Sequence, residues 1–192
     1  MESKDILYSS GNNDECYTPV YAVEPILKYI QRYKDYGWEF NMSREFTVWC
    51  PFDTEESLFV KMIRDSGSSV QCTHIFNGTD FMEDSEYTNN IIQNCDYIVS
   101  NPPYSIKGQV FERLFKIGKP FAMLVGVVGL FESQKRFEMF RDNKFEIMYM
   151  NRRVSYFKDY ADLKPALNPP FSSVYLCSGM LPQQIMFETI NK

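Results

Sequence analysis

The sequence predicts one α/β domain, an open sheet that is mainly parallel with an antiparallel edge near the C-terminus. Three observations carry this. Helix-period and strand-like apolar segments alternate through the first two-thirds of the chain, and short strands then cluster. Phe121 to Val128 is the most apolar segment and reads as a central strand buried on both faces. The 192 residues are 44% hydrophobic and 16% aromatic, enough for one ordinary core, which excludes global disorder.

The elements follow in order. Residues 1–15 are polar and partly acidic, expected to form a flexible arm and not a signal peptide. The rest, 16–192, is expected to be a single domain without a separate recognition domain. Thr18-Pro19 suits a helix entry, and Val23, Ile26, Leu27, Ile30 and Tyr33 carry helical spacing up to Gly37. Phe46 to Cys50 reads as a strand closed by Pro51. Residues 55–66 read as a helix with Leu58, Met62 and Ile63 on one face, ended by Gly67. Val70 to Phe76 reads as strand, Asn77-Gly78 as turn, 83–95 as a short helix and Asp96 to Ser100 as strand. Val110 to Ile117 looks helical before Gly118-Lys119-Pro120 breaks it, and Ser133 to Asn143 forms a polar helix. Phe145 to Met150, Val154 to Phe157, Ser173 to Cys177 and Ile185 to Thr189 are the late strands, with a Pro-bearing loop over 158–172.

Charge and residue usage exclude several chemistries. Twenty Lys and Arg stand against 25 Asp and Glu, a net charge of −5, so composition alone argues against a strongly basic nucleic-acid binder. A local basic patch stays open. A Ser-His-Asp triad would have to rest on His74, the one histidine, and a zinc site with two histidines is impossible. The five cysteines lack CxxC spacing and read as reduced, buried thiols of a cytoplasmic protein. The longest apolar run is about half of what a membrane span requires. Neither a membrane location nor a metal centre is expected.

The segment that carries chemistry is Asn101-Pro102-Pro103-Tyr104, where the strand 96–100 ends. Ligands of open α/β sheets bind at the carboxyl ends of strands. An asparagine carbonyl accepts a hydrogen bond from an amino group. Two prolines stiffen the turn, so a backbone carbonyl can be held inward as a second acceptor. Two acceptors on one NH₂ draw the nitrogen lone pair out of conjugation and make it nucleophilic toward a methyl electrophile. Tyr104 offers a flat face for a base, a stacking contact worth about 1–3 kcal/mol. A duplex base reaches such a pocket only by flipping out.

In these residues the chain resembles the amino-methylating DNA methyltransferases, in particular the small phage-type N6-adenine methyltransferases. The likeness covers about 16 to 188, with Thr18-Pro19 before the first helix, Asp80-Phe81 after Asn77-Gly78, and Arg153-Val154-Ser155-Tyr156-Phe157 before the last strands. It implies a Rossmann-like sheet that binds S-adenosylmethionine (SAM) and methylates adenine N6 in DNA. It implies Asn101, Pro102, Pro103 and Tyr104 as the catalytic turn. Thr18, Pro19, Pro51, Phe52, Asp53, Asp80 and Phe81 become the cofactor-binding residues. Asp80 would meet the cofactor's adenine and Phe81 would pack on its ring.

Some positions depart from that pattern. Cys50 stands where an acid is expected after the first strand, and no glycine follows Pro51-Phe52. Asp53 or Glu55 can grasp the cofactor's amino group, or both can belong to a helix N-terminus capped by Thr54. The second strand ends without an acid, and His74 either bonds a ribose hydroxyl or is satisfied locally. Loops 104–109 and 157–172 are the candidate readout segments, with Ser105, Lys107 and Arg153 as candidate substrate contacts. Arg113, Lys116, Lys119, Lys135, Arg136 and Arg152 add positive charge, read either as phosphate contacts or as solvated helix faces. An acidic chain of this size must bind DNA locally, weakly, or as a homodimer. RNA adenine or protein amide methylation, and a scaffold that has lost activity, are the other expectations. A second Asn-Pro-Pro, at 168–170, reads as loop.

Overall fold

The computed structural model describes residues 17–36, 46–158, 161, 165–167 and 171–191. The expected arm over 1–15, the helix stop at Gly37 and the second Asn-Pro-Pro lie outside these residues.

Five helices and nine strands occur among the described residues. In chain order they are α1 (Val20–Tyr36), β1 (Thr47–Cys50), α2 (Leu58–Asp65), β2 (Ser69–Cys72), α3 (Glu86–Asn94), β3 (Tyr97–Ser100), α4 (Lys107–Ile117), β4 (Phe121–Gly126), α5 (Gln134–Asp142), β5 (Glu146–Met150), β6 (Tyr156–Phe157), β7 (Pro165–Leu167), β8 (Ser173–Ser178) and β9 (Ile185–Glu188). Short 3-10 turns at Ile75–Asn77 and Tyr104–Ile106 follow β2 and β3.

Seven strands form one sheet in the order β2-β1-β3-β4-β8-β5-β9, and β6 pairs with β7 separately. Strands β2, β1, β3 and β4 run parallel, with Val48 opposite Val70 and Tyr97, and Ile98 opposite Phe121. Strand β8 runs antiparallel to both β4 and β5, while β9 is parallel to β5. The expected antiparallel edge is therefore corrected. The antiparallel strand is interior, inserted between β4 and β5, and the edge strand β9 runs with the majority.

Every residue of β3 and β4 is buried, as a sheet covered on both faces requires. Helix α1 buries Ala22, Val23, Ile26, Tyr29 and Ile30, and Tyr175 Oη ties it to β8 by donating to the Ala22 carbonyl at 2.6 Å. Pro25 sits inside α1 and not at its entry. Helix α2 starts later than expected. Ser57 is its N-cap, not Thr54, and Phe59, Val60 and Ile63 form its buried face. Strand β2 ends at Cys72, because His74 caps the turn Ile75–Asn77 by accepting the Phe76 N–H on Nδ1 at 3.2 Å. Gly78 closes that turn at φ 79°, a conformation that favours glycine. The expected 158–172 loop contains β7. Helix α4 begins three residues before the expected start, directly behind the tetrapeptide.

Candidate functional site

Strands β1 and β3 are neighbours, and their carboxyl ends open into one cleft. Its lining brings together Thr18, Pro51, Phe52, Asp53, Asp80, Phe81, Asn101, Pro102 and Pro103. These positions come from four separate stretches of sequence. Tyr17, Thr54, Ser57, His74, Ile75, Phe76, Thr79 and Ile106 complete the wall.

At the β1 side, the Thr73 N–H donates to the Cys50 carbonyl at 3.0 Å and the Asp53 N–H to the Thr73 carbonyl at 3.2 Å. These bonds fold Pro51-Phe52 back and turn Asp53 inward. The Asp53 side chain is buried, and its two oxygens accept from Ser57 Oγ and Ser100 Oγ. One carboxylate thus joins the N-terminus of α2 to the end of β3. Burial pushes the Asp53 carboxyl up to about 6, and the two hydroxyls pull it back only partly. Glu55 takes neither expected role. It is exposed and pairs with Arg64 at 2.9 Å, outside the cleft. Cys50 does not replace the missing acid, since burial raises its thiol well above the ordinary value.

Ser100 and Asn101 continue from β3. Asn101 Nδ2 donates to Thr18 Oγ1 at 3.2 Å, which fixes how the amide is turned. Thr18 is buried, while Pro19 is buried at the start of α1 and does not line the cleft. Asp80 accepts the Met82 N–H at 2.8 Å. Phe81 is buried between Trp49 and Phe52, at ring distances of 5.4 and 5.0 Å, with the Arg113 guanidinium 5.5 Å from its ring centre. Ile75 and Phe76, also in the lining, are 63% and 71% exposed and add apolar surface to the cleft.

Tyr104 departs from expectation. Its side chain is 6% exposed and does not line the cleft. It packs edge-on against Tyr156 and Phe171, and its hydroxyl donates to Tyr156 Oη at 2.7 Å. In this arrangement no ring face is presented for stacking.

The basic residues divide. Lys107 is corrected as a substrate contact, because it is buried and donates to the Gly126 and Val128 carbonyls. Arg113 is buried on Asp84 and the Glu83 carbonyl, Lys119 donates to the Cys95 carbonyl, and Arg136 donates to the Gly129 carbonyl. Lys135 pairs with Glu112 at 2.6 Å. Ser105, Lys116, Arg152 and Arg153 are exposed. Arg152 and Arg153 follow β5, at the same end of the sheet as the cleft.

No protein-family model matches the chain, and no curated protein matches it by sequence. Among solved structures, a modification subunit assigned to a type I restriction enzyme from Vibrio vulnificus YJ016 superposes with a TM-score of 0.50 at 12% identity. That match covers 96% of this chain and 49% of the other, so the chain spans about half the length of that relative. A release-factor-specific protein-(glutamine-N5) methyltransferase from Alicyclobacillus acidocaldarius subsp. acidocaldarius DSM 446 matches with a TM-score of 0.37 at 14% identity, over 83% of this chain and 93% of the other. The fold is Rossmann-like, of the methyltransferase type. Sequence reasoning missed Ser57 and Ser100, the two hydroxyls on Asp53. A serine directly before an apolar helical run was the available signal for Ser57.

Proposed function

We propose that this protein is a SAM-dependent methyltransferase acting on the N6 amino group of adenine in DNA. The observation that carries the reading is the convergence of Asn101-Pro102-Pro103 and the Asp53 carboxylate on one cleft, from the ends of adjacent strands. The methyltransferase-type fold supports it. The cleft fits the cofactor. A buried carboxylate suits its ammonium group, and Phe52, Phe76 and Phe81 offer apolar walls to its purine. When bound, SAM supplies an electrophilic methyl group on a sulfonium.

The chain's own residues do the rest. Asp53 would hold the ammonium through a charge-assisted bond. Asp80 and Phe81 take the purine. Asn101, through its side-chain carbonyl, and the Pro102 backbone carbonyl accept from the two N–H bonds of the target amino group. That pairing would raise the nucleophilicity of the nitrogen toward the methyl group that SAM supplies. Transfer is direct, and the displaced amino proton leaves to water afterwards, so no general base is required. Arg152 and Arg153 contact phosphates beside the cleft. Tyr104 backs the turn through its bond to Tyr156 and takes no part in stacking in this arrangement.

Calorimetry with SAM tests the cofactor half. Binding at micromolar concentration is expected, and none at millimolar cofactor would contradict it. Incubation with an adenine-containing duplex, followed by nucleoside analysis, tests the acceptor half. Label in an RNA or protein pool instead would move the assignment to those substrates.

A further inference from the structure

The tetrapeptide is held from both ends by one short segment, Ser155-Tyr156-Phe157, some fifty residues downstream. At the far end, Tyr104 Oη donates to Tyr156 Oη at 2.7 Å, and Tyr156 Oη bonds Ser173 Oγ at 2.8 Å. Tyr156 is fully buried, so these hydroxyls are paired with each other where water does not reach. Phe171 closes the same cluster, with its ring 5.8 Å from that of Tyr104. Gly126 leaves room for it, since a β-carbon there would come within 2.5 Å of the Phe171 ring.

At the near end, the backbones of Phe157 and Tyr17 exchange two hydrogen bonds, at 2.9 and 3.2 Å. Tyr21 Oη accepts the Ser155 N–H at 2.8 Å and donates to the Ser155 carbonyl at 3.3 Å. Those contacts fix residues 17–21, and with them Thr18, whose hydroxyl accepts from the Asn101 amide. The geometry points to Ser155-Tyr156-Phe157 as a strap that sets the orientation of the Asn101 amide, with Tyr156 and Thr18 as positioning residues. This rests on the methyl-transfer reading of the cleft. The strap's hydrogen bonds run to Tyr104, Ser173, Tyr17 and Tyr21, so its effect is expected at the reacting amide.

Steady-state kinetics on full-length Tyr156→Phe, Thr18→Val and Thr18→Ser test it, with SAM affinity measured by calorimetry. Tyr156→Phe keeps the ring and loses the hydroxyl bonds to Tyr104 and Ser173. Tyr156→Phe and Thr18→Val are expected to lower kcat by about 10²-fold, the scale of an ångström's misplacement, with SAM affinity unchanged within about twofold in Tyr156→Phe, whose side chain does not line the cleft. Thr18→Ser is expected to restore most of the loss. The double variant should lose less than the product of the two single losses, because both act through one strap. Unchanged kcat in both single variants, or a loss confined to KM for SAM, would overturn the strap. A second readout does not depend on activity. The side-chain NH₂ signals of Asn101, identified by their absence from Asn101→Ala, should shift in Thr18→Val and in Tyr156→Phe. If wild type methylates nothing yet these signals shift, the methyl-transfer reading fails and the strap stands. If they stay in place, the strap fails.

Discussion

Asn101 and Asp53 face one cleft from neighbouring strands, and the protein holds them in opposite ways. Asn101 is neutral and half-buried, and its amide bonds to Thr18, which is itself anchored by a distant segment. Asp53 is buried, with two hydroxyls on its oxygens and a carboxyl raised to about 6. A neutral amide can be oriented at little expense. A buried carboxylate destabilises the empty protein, and such an arrangement is kept where a cationic ligand repays the desolvation. On the proposed function, the amide side would serve geometry and the carboxylate side charge.

The sharpest way to break this contrast is to remove each group. Asn101→Ala should lower methyl transfer by about 10²–10³-fold, the cost of deleting one aligned hydrogen-bonding group at a reacting centre. SAM affinity, read by calorimetry, should hardly move. Asp53→Asn should do the reverse. Loss of a charge-assisted contact is expected to weaken SAM binding by about 10–10²-fold. The same substitution should stabilise the ligand-free protein at pH 7 by up to about 3 kcal/mol, because no buried charge is then needed. For a chain of this size that corresponds to a Tm higher by about 6–12 °C in calorimetric melting.

The pH dependence follows with a definite sign. The folded carboxyl takes its proton at about 6 and an ordinary aspartate at 3.8, so between those values the folded state binds more protons. Stability of the ligand-free protein should therefore rise, through this group, as pH falls from 7 toward 4. SAM affinity should fall over the acid side of that window, by about tenfold per unit below pH 6, as the carboxylate is neutralised. Both trends should vanish in Asp53→Asn.

Packing behind the amide side gives a smaller effect. Gly126→Ala should destabilise by about 1–3 kcal/mol, the usual cost of overpacking, because its β-carbon meets the Phe171 ring. Gly108→Ala in α4 should be neutral to stabilising by about 1 kcal/mol, its nearest neighbour being the flexible Arg136 side chain at 3.6 Å. The smallest effects belong to the surface. Arg153→Ala should weaken DNA binding modestly and reduce the salt slope of affinity by about one. Lys107→Met should leave that slope unchanged, since Lys107 is spent on backbone carbonyls.

The amide side was largely legible in the sequence, because a strand ending in Asn-Pro-Pro-Tyr is a local pattern whose position at a sheet's carboxyl edge follows from the strand itself. The carboxylate side was not. Two readings stood for Asp53 and Glu55, and the backbone bonds through Thr73 together with Ser100, 47 positions away, hold one acid inward while the other sits on Arg64. Ser57 caps α2 while donating to Asp53, so the helix starts where the carboxylate needs a hydroxyl and not at the first polar residue. Lys107 and Arg113 looked like surface charge because helical spacing does not reveal which carbonyls lie beneath a side chain. Tyr104 looked free to stack, because its partners Tyr156 and Phe171 are remote in sequence. The place of β8 between β4 and β5 is likewise a long-range choice that periodicity does not encode.

The most direct test is tritiated-methyl transfer from SAM to separate DNA, RNA and protein pools, run with wild type and Asn101→Ala side by side and followed by nucleoside analysis. Label in N6-methyladenine of DNA from wild type, absent from the variant, is the predicted result. Label that persists in Asn101→Ala, or no label in any pool with wild type, would contradict the account.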